Sequence, residues 1–163
     1  MLKFYSATIL AAAIVVASCA QQPDIPNGIA HARMVVDKFP MALESGNLDT
    51  LSQIMVHDSS LVVFGTDSAE YWVGYPAVEQ AFKAQIAAFK DIKITVSNQK
   101  VNVSESLDAA WFSEMADWSM VVNDQPLDLK GLRITGVLTN EPDGWKIVQM
   151  HVSMPVAGQA AEY

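Results

Sequence analysis

A segment near the C-terminus, WKIVQMHVSMP (residues 145–155), places an imidazole and a hydroxyl two residues apart, at His151 and Ser153. Side chains of a β-strand alternate between its two faces, so these two would share one face. In the preceding segment GLRITGVL, the same spacing puts Arg133 and Thr135 on a common face. A guanidinium, two hydroxyls and an imidazole suit an anionic or polar ligand such as a carboxylate, because arginine presents a planar fork of donors. We predict that these four side chains orient a small molecule.

The alternation leaves open which face of the last strand is covered. If the other face is covered, the interior is apolar, and His151 and Ser153 point to solvent or to a partner subunit. That other face consists of Lys146, Val148, Met150, Val152 and Met154. Trp145 shares the face of His151 in a strict alternation, and tryptophan is highly buried on average. We therefore expect the face that bears His151 and Ser153 to line the interior.

The same residues allow a catalytic alternative, in which His151 acts as a general acid or base in an isomerisation or a hydrolysis. A triad with Ser153 would need an acidic third member, and the pattern identifies none. His57, Asp67 and Glu70 lack a recognisable metal-ligand spacing. The glycines form no phosphate-binding or dinucleotide motif. We expect neither a metal nor a cofactor.

Aromatic side chains are candidates for the apolar wall of a binding site. The segment GTDSAEYWVGY reads as a loop that could cover the mouth of a pocket, with Trp72 against the ligand. The alternative is that Trp72 packs beneath the next helix and Glu70 forms a structural ion pair. Trp111 and Trp118 are seven residues apart on one predicted strand, so at most one of them lines a pocket. We predict that Trp72 and Trp111 contact the ligand.

Two helical patterns, a short apolar strand and a third helical pattern precede four strands joined by short polar turns. Gly46 predicts the end of the first helix, Asn47 caps the second, and Pro40 predicts a kink or a break near Lys38. Consecutive strands with tight turns indicate an antiparallel sheet, with the helices covering one face. The sequence thus predicts an α+β fold, in which a long sheet curls around a conical interior.

The first 18 residues have the pattern of a bacterial signal peptide: Lys3, an apolar run and small residues directly before Cys19. VASC resembles the lipobox, which implies that Cys19 carries lipid and becomes the first mature residue. Residues 20–28 are polar and rich in proline, as in a flexible tether. We expect a membrane-anchored lipoprotein that faces the periplasm, and Ala20 favours the outer membrane by resemblance to known sorting signals.

The 163 residues, 51% of them hydrophobic, suffice for one well-buried domain, which we place at 29–155, followed by a tail at 156–163. The formal net charge is −8 and becomes −9 without the leader, whose one charged residue is Lys3. Such a surface repels phosphate backbones and argues against nucleic acid as a partner. With Cys19 as the single cysteine, no intramolecular disulfide can form.

Several segments, in this order and spacing, resemble the nuclear transport factor 2-like (NTF2-like) superfamily, and most of all its SnoaL-like proteins. They are ALESGNLDTLSQIM, FGTDSAEYWVGYPAVEQAF, DAAWFS, GLRITGVL and DGWKIVQMHVS. The resemblance implies the cone-shaped, cystatin-like fold with a pocket and a homodimer formed through the outer sheet face. It implies no particular reaction, because this fold supports many.

Steroid isomerisation on this fold uses an aspartate base, with a tyrosine and a protonated aspartic acid as oxyanion donors. By resemblance, the base position falls at or near Val63 and the tyrosine position at Phe39, while GLRITGVLTN contains no acid. We therefore exclude that mechanism. The favoured function is binding of a small polar or anionic organic molecule. The alternatives are a small-molecule isomerase or hydrolase that uses His151, and a non-catalytic dimerisation or assembly module.

Overall fold

Three helices and six strands make up residues 23–158, the part of the chain that the computed structural model describes. The helices are α1 (Ile25–Ser45), α2 (Leu48–Gln53) and α3 (Tyr75–Ala88). The strands are β1 (Val62–Phe64), β2 (Tyr71–Val73), β3 (Phe89–Val103), β4 (Ala109–Val122), β5 (Gln125–Glu141) and β6 (Gly144–Ser153). The predicted leader, Cys19 and the last five residues lie outside the described residues.

All six strands belong to one curved sheet, in the order β2-β1-β6-β5-β4-β3. The predicted antiparallel series of four strands is confirmed as β3 to β6. The sheet as a whole is mixed and not purely antiparallel, because β1 runs parallel to β6. The segment predicted as a loop contains β2, which forms a hairpin with β1. The fold is α+β, as predicted, with helices packed against one face of the sheet.

The two ends of α1 and the start of α2 are set by three polar or flexible residues. Asp24 caps the first turn by accepting a hydrogen bond from the Asn27 N–H at 3.2 Å. The helix therefore begins at Ile25, and residues 25–28 are helical although the sequence assigned them to the tether. Gly46 ends α1 with a φ of 63°, and Asn47 caps α2 by accepting from the Thr50 N–H at 2.9 Å. Both of these predictions are confirmed.

Pro40 predicted a kink or a break near Lys38; α1 continues through Pro40, so the break does not occur. Proline removes one backbone donor and crowds the preceding turn. Phe39 and Leu43, on either side of it, are each 3% exposed and pack in the core. Full burial of such side chains is worth about 1.5–3 kcal/mol each, which offsets the missing hydrogen bond.

The core lies between α1, α2, α3 and the inner face of the sheet. Its central members are Ala32, Val36, Phe112, Leu132, Ile134 and Leu138. Gly136 on β5 makes room for the Phe112 ring, because a Cβ at this position would collide with it. Within residues 23–158, no helix combines the length and the apolar character needed to cross a bilayer.

A β-bulge at Val148 interrupts the alternation of β6. Leu138 pairs with Ile147, whereas the preceding residue Val137 pairs with Gln149, so Val148 has no partner on β5. The extra residue reverses the faces: Trp145 and Ile147 point inward before the bulge, and Met150 and Val152 point inward after it. The strict alternation assumed from the sequence therefore fails in the middle of the strand.

Candidate functional site

An interior cavity of about 220 Å³ lies between α1, α3, the β1–β2 hairpin and the inner face of β4, β5 and β6. Thirteen of its seventeen lining residues are apolar, and several are aromatic or methionine. The apolar residues are Phe39, Val63, Phe64, Trp72, Phe82, Phe89, Trp118, Met120, Leu127, Leu129, Met150, Val152 and Met154. A concave, mostly apolar space with a few polar groups is the usual form of a small-molecule site.

The polar groups of the lining come from two elements. Thr66 and Glu70 belong to the β1–β2 hairpin, and Gln85 belongs to α3. Among residues 23–158, Glu70 is the one ionisable side chain that lines this cavity. The cavity therefore presents an apolar interior with a single carboxylate.

The hairpin holds the Glu70 carboxylate in place. Its Oε2 atom accepts hydrogen bonds from the Thr66 N–H at 2.5 Å, the Thr66 hydroxyl at 3.1 Å and the Asp67 N–H at 3.3 Å. Gly65 makes this conformation possible, because a Cβ at this position would collide with the Glu70 side chain. The Oε1 atom accepts no hydrogen bond from any residue that the structure describes. One oxygen is thus fixed and the other is free.

The four polar residues predicted to orient a ligand do come together, but on the outer face of the sheet. Arg133 pairs with Ser153 and Thr135 pairs with His151 across β5 and β6. Arg133, Thr135 and His151 are exposed, Ser153 is half-buried, and none of the four lines the cavity. The prediction that they face the interior is wrong, because the bulge at Val148 turns Met150 and Val152 inward instead.

Arg133 forms no ion pair with Glu70 or Glu114. Both carboxylates lie on the inner side of the sheet, and Arg133 takes part in no salt bridge among residues 23–158. The Phe64 ring lies 5.5 Å from the imidazole of His151, measured between ring centroids. Apart from this contact, His151 is exposed to solvent.

Trp111 and Trp118 lie on opposite faces of the sheet, as their spacing predicts. Trp118 lines the cavity, whereas Trp111 is 48% exposed on the outer face and does not contribute to the wall. Trp72 lines the cavity as predicted. The indole Nε1 of Trp118 is buried and has no hydrogen-bond partner among the described residues. Sequence reasoning placed the wrong member of the pair, Trp111, in the site.

Two larger depressions open on the surface near the β5–β6 turn. One, of about 620 Å³, lies beside the first half of α1, and the other, of about 420 Å³, lies beside α2 and His57. Their walls combine backbone turns with charged residues of both signs, such as Lys38, Asp143 and Lys146. The interior cavity encloses a ligand better despite its smaller volume, so we take it as the candidate site.

A contact between Ser52 and His57 beside these depressions is structural. His57 Nε2 lies 3.1 Å from the Ser52 hydroxyl and 2.9 Å from the Ser52 carbonyl oxygen. A carbonyl only accepts, so Nε2 must carry the proton and cannot accept one from the hydroxyl. The imidazole also stacks on Tyr75, with ring centroids 3.9 Å apart. Asp58 accepts a hydrogen bond from the Ser60 N–H at 2.7 Å and forms a turn.

A buried carboxylate, Glu114, lies beneath α1 and away from the cavity. It is 4% exposed and accepts a hydrogen bond from Gln99 Nε2 at 3.0 Å. The same amide nitrogen donates to Asp37 at 2.8 Å, and the Gln99 oxygen accepts from Arg33. Burial raises the pKa of Glu114, the Gln99 hydrogen bond opposes this, and the charge of Asp37 adds to it.

Gln99 reaches this position because of an irregularity in β3. The pairing of β3 with β4 shifts between Ser97 and Lys100, and Asn98 has a φ of 53°. Within residues 23–158, no group of three or more His, Cys, Asp or Glu side chains is placed to hold a metal ion. Glu114 and its neighbours thus form a polar contact between α1, β3 and β4.

Comparison with known families matches residues 32–157 to the SnoaL-like domain, and the chain belongs to this family. Solved structures of the same architecture include an NTF2-like superfamily protein from Salmonella enterica serovar Typhimurium. It has a TM-score of 0.74 and 15% identity, and the alignment covers 85% of this chain and 99% of that one. None of the curated proteins compared matches this chain.

Two further structures are provisionally assigned as dehydratases. One, of the NTF2-like family from Streptomyces avermitilis, has a TM-score of 0.73 and 18% identity over 81% of this chain and 99% of that one. The other, a scytalone dehydratase from Novosphingobium aromaticivorans, has a TM-score of 0.69 and 13% identity over 80% and 86%. Likeness at this level of identity establishes the fold alone.

Proposed function

We propose that this protein binds a small, neutral and mainly apolar organic molecule in its interior cavity. The observation that carries the proposal is the wall, in which thirteen of seventeen residues are apolar and one, Glu70, is ionisable. A cavity of about 150 Å³ with an aliphatic and aromatic lining accommodates benzene. The 220 Å³ found here therefore suits a molecule of one or two rings.

The polar or anionic ligand expected from the sequence does not suit this wall. No Lys, Arg or His of residues 23–158 lines the cavity, and the carboxylate of Glu70 repels anions. The formal net charge of −8 also repels anions, at longer range. A neutral ligand avoids both costs.

The proposal is binding without turnover. Acid–base catalysis on this fold combines a base with separate acidic donors, and this cavity contains one carboxylate. His151, the acid or base considered from the sequence, lies on the other side of the sheet. The dehydratases that share the fold do not change this conclusion, since the fold supports many functions.

A pair of variants on one strand tests the binding function. Val152 is 6% exposed and lines the cavity, so Val152→Phe should fill it and weaken binding of naphthalene at least tenfold. The neighbouring His151→Ala variant is the matched control and should bind naphthalene as the native domain does. Calorimetry gives the dissociation constants, and circular dichroism checks that both variants fold. Binding that survives Val152→Phe but is lost in His151→Ala would overturn the proposal.

We also propose that the mature protein is a lipoprotein anchored through Cys19 to the outer membrane and facing the periplasm. The support is the sequence pattern around Cys19, which lies outside the described residues. Lipid with several acyl chains on one residue would suffice for stable anchoring. Cys19→Ser should move the protein from the membrane fraction to the soluble fraction, and unchanged fractionation would contradict the anchor.

The outer face of the sheet supports a further proposal, a homodimer formed through this face. Exposed apolar side chains lie there beside the four polar residues described above. They are Tyr71, Trp111, Met115 and Val137, between 37% and 56% exposed. Contiguous exposed apolar surface of this kind commonly marks an interface. A two-fold axis through the sheet would cover the same residues on both subunits.

A further inference from the structure

Among residues 23–158, the cavity offers its ligand one charged contact, the Glu70 carboxylate, whose Oε1 atom has no partner. The carboxylate is held at Oε2 by the Thr66 and Asp67 groups, while Oε1 has no partner among the described residues. The carboxylate can only accept hydrogen bonds when ionised. The Glu70 carboxylate can therefore recognise a hydrogen-bond donor on the ligand.

We propose that Glu70 is the specificity-determining residue of the cavity and selects apolar ring compounds that carry a hydroxyl or an amine. This inference rests on the proposed binding function and narrows it to a ligand class. The apolar body of the ligand occupies the space between Trp72, Trp118 and Met150, and its donor contacts Oε1 of Glu70.

Three features of the hairpin make Glu70 suited to this role. Its side chain is already positioned by three donors, so little conformational freedom is lost when a ligand binds. Gly65 allows the side chain to fold over the hairpin backbone. A hydrogen bond from a hydroxyl to a carboxylate is shorter and stronger than one between neutral groups.

The position of the Glu70 carboxylate disfavours two other classes of ligand, anions and hydrocarbons. An anionic analogue of the same size would bring its charge next to the Glu70 carboxylate in an apolar surrounding, where repulsion is weakly screened. A hydrocarbon would leave Oε1 without a partner, and a half-buried acceptor without a hydrogen bond is costly. The order of affinity should therefore be donor-bearing, then hydrocarbon, then anionic.

Three two-ring probes separate these outcomes: 2-naphthol, naphthalene and 2-naphthoate. In the native domain, 2-naphthol should bind about tenfold more tightly than naphthalene. This ratio corresponds to a difference of about 1.4 kcal/mol in binding free energy. 2-Naphthoate should bind more weakly than both. Glu70→Ala should remove the preference for 2-naphthol over naphthalene.

Glu70→Gln distinguishes recognition from a structural role. The amide oxygen can replace Oε2 as the acceptor of the Thr66 and Asp67 groups, which leaves the NH₂ as a donor towards the ligand. This variant should bind 2-naphthoate at least tenfold more tightly than the native domain does and should lose affinity for 2-naphthol. The control Glu105→Gln, at an exposed residue of the β3–β4 turn, should change nothing.

Each failure has its own pattern. If the native domain binds none of the three probes, the proposed function itself is wrong. If naphthalene and 2-naphthol bind equally, or the preference survives in Glu70→Ala, the role of Glu70 is wrong while the binding function stands. If Glu70→Gln weakens all three probes alike, Glu70 only supports the hairpin.

Discussion

Thr135 and His151 lie directly opposite each other on β5 and β6, and both side chains are exposed on the face of the sheet that points away from the cavity. The bulge at Val148 causes this arrangement, since it inserts one residue between the inward-facing Ile147 and the inward-facing Met150. Two residues that invite a catalytic interpretation in the sequence thus belong to the outer surface. The cavity receives methionine and valine instead.

Alanine substitutions of two consecutive residues of β6 should differ widely in their effect on stability. Met150 is 1% exposed, and Met150→Ala should lower the free energy of unfolding by about 2–5 kcal/mol, because it removes buried methylene groups and enlarges the cavity. His151→Ala should stay within about 0.5 kcal/mol, as is usual for surface positions. Chemical denaturation measures both, and equal losses would contradict the assignment of the faces.

Gly65→Ala should destabilise the domain through Glu70. The added Cβ displaces the Glu70 side chain and breaks hydrogen bonds from the Thr66 and Asp67 N–H groups, at a cost of about 1–3 kcal/mol. A double-mutant cycle isolates this cause: in a Glu70→Gly background, which also removes the Cβ of residue 70 that the added Cβ would meet at 2.6 Å, Gly65→Ala should cost clearly less. Additive losses from the two substitutions would show that Gly65 acts independently of Glu70.

Glu114 should make the stability of the domain depend on pH. Burial, as the largest cause, raises its pKa in the folded state, so the folded protein binds this proton more tightly than the unfolded chain does. The stabilisation is complete below the pKa of the unfolded chain and is lost as the pH rises through the raised pKa. Glu114→Gln imitates the protonated form, so it should stabilise the domain at pH 7 relative to the native chain, with a smaller difference at pH 4. Thermal unfolding at both pH values measures this. A native advantage at pH 7 would contradict the prediction.

If the protein is a homodimer through the outer sheet face, a charged side chain introduced into that face should lower the molecular mass measured in solution. Val137→Asp places a carboxylate at the centre of the exposed apolar residues, opposite Trp111 on β4 and Gln149 on β6, and should convert the dimer into a monomer. Met41→Asp, at a residue of α1 that is 64% exposed, provides a matched control that should remain dimeric. Sedimentation equilibrium gives the mass. A native protein that sediments as a monomer would rule out the dimer directly.

Most of the fold could be predicted because the helices and the long strands carry strong periodic patterns. The apolar spacing of α1 and the alternation of β4 and β5 extend over many residues, so single exceptions such as Pro40 do not hide them. β1 and β2 contain three residues each, which is too short for a periodic signal. The hairpin and the parallel pairing of β1 with β6 therefore had no signature in the sequence.

The site could be predicted less well, because it depends on local irregularities. One extra residue at Val148 reverses the faces of β6, and no residue type marks such a bulge. The role of Glu70 depends on the space above Gly65, which becomes visible only when the hairpin is folded. The position of Trp72 in the cavity wall could be predicted, because the aromatic-rich segment that contains it directly precedes a helix that covers the interior.

The most direct test of the central claim is a crystal structure of the domain soaked with 2-bromonaphthalene, in which the anomalous signal of bromine locates the ligand. The account predicts one strong peak inside the cavity, within van der Waals contact of Trp72, Trp118 and Met150. A peak on the outer face of the sheet beside His151 and Arg133, with an empty cavity, would contradict it.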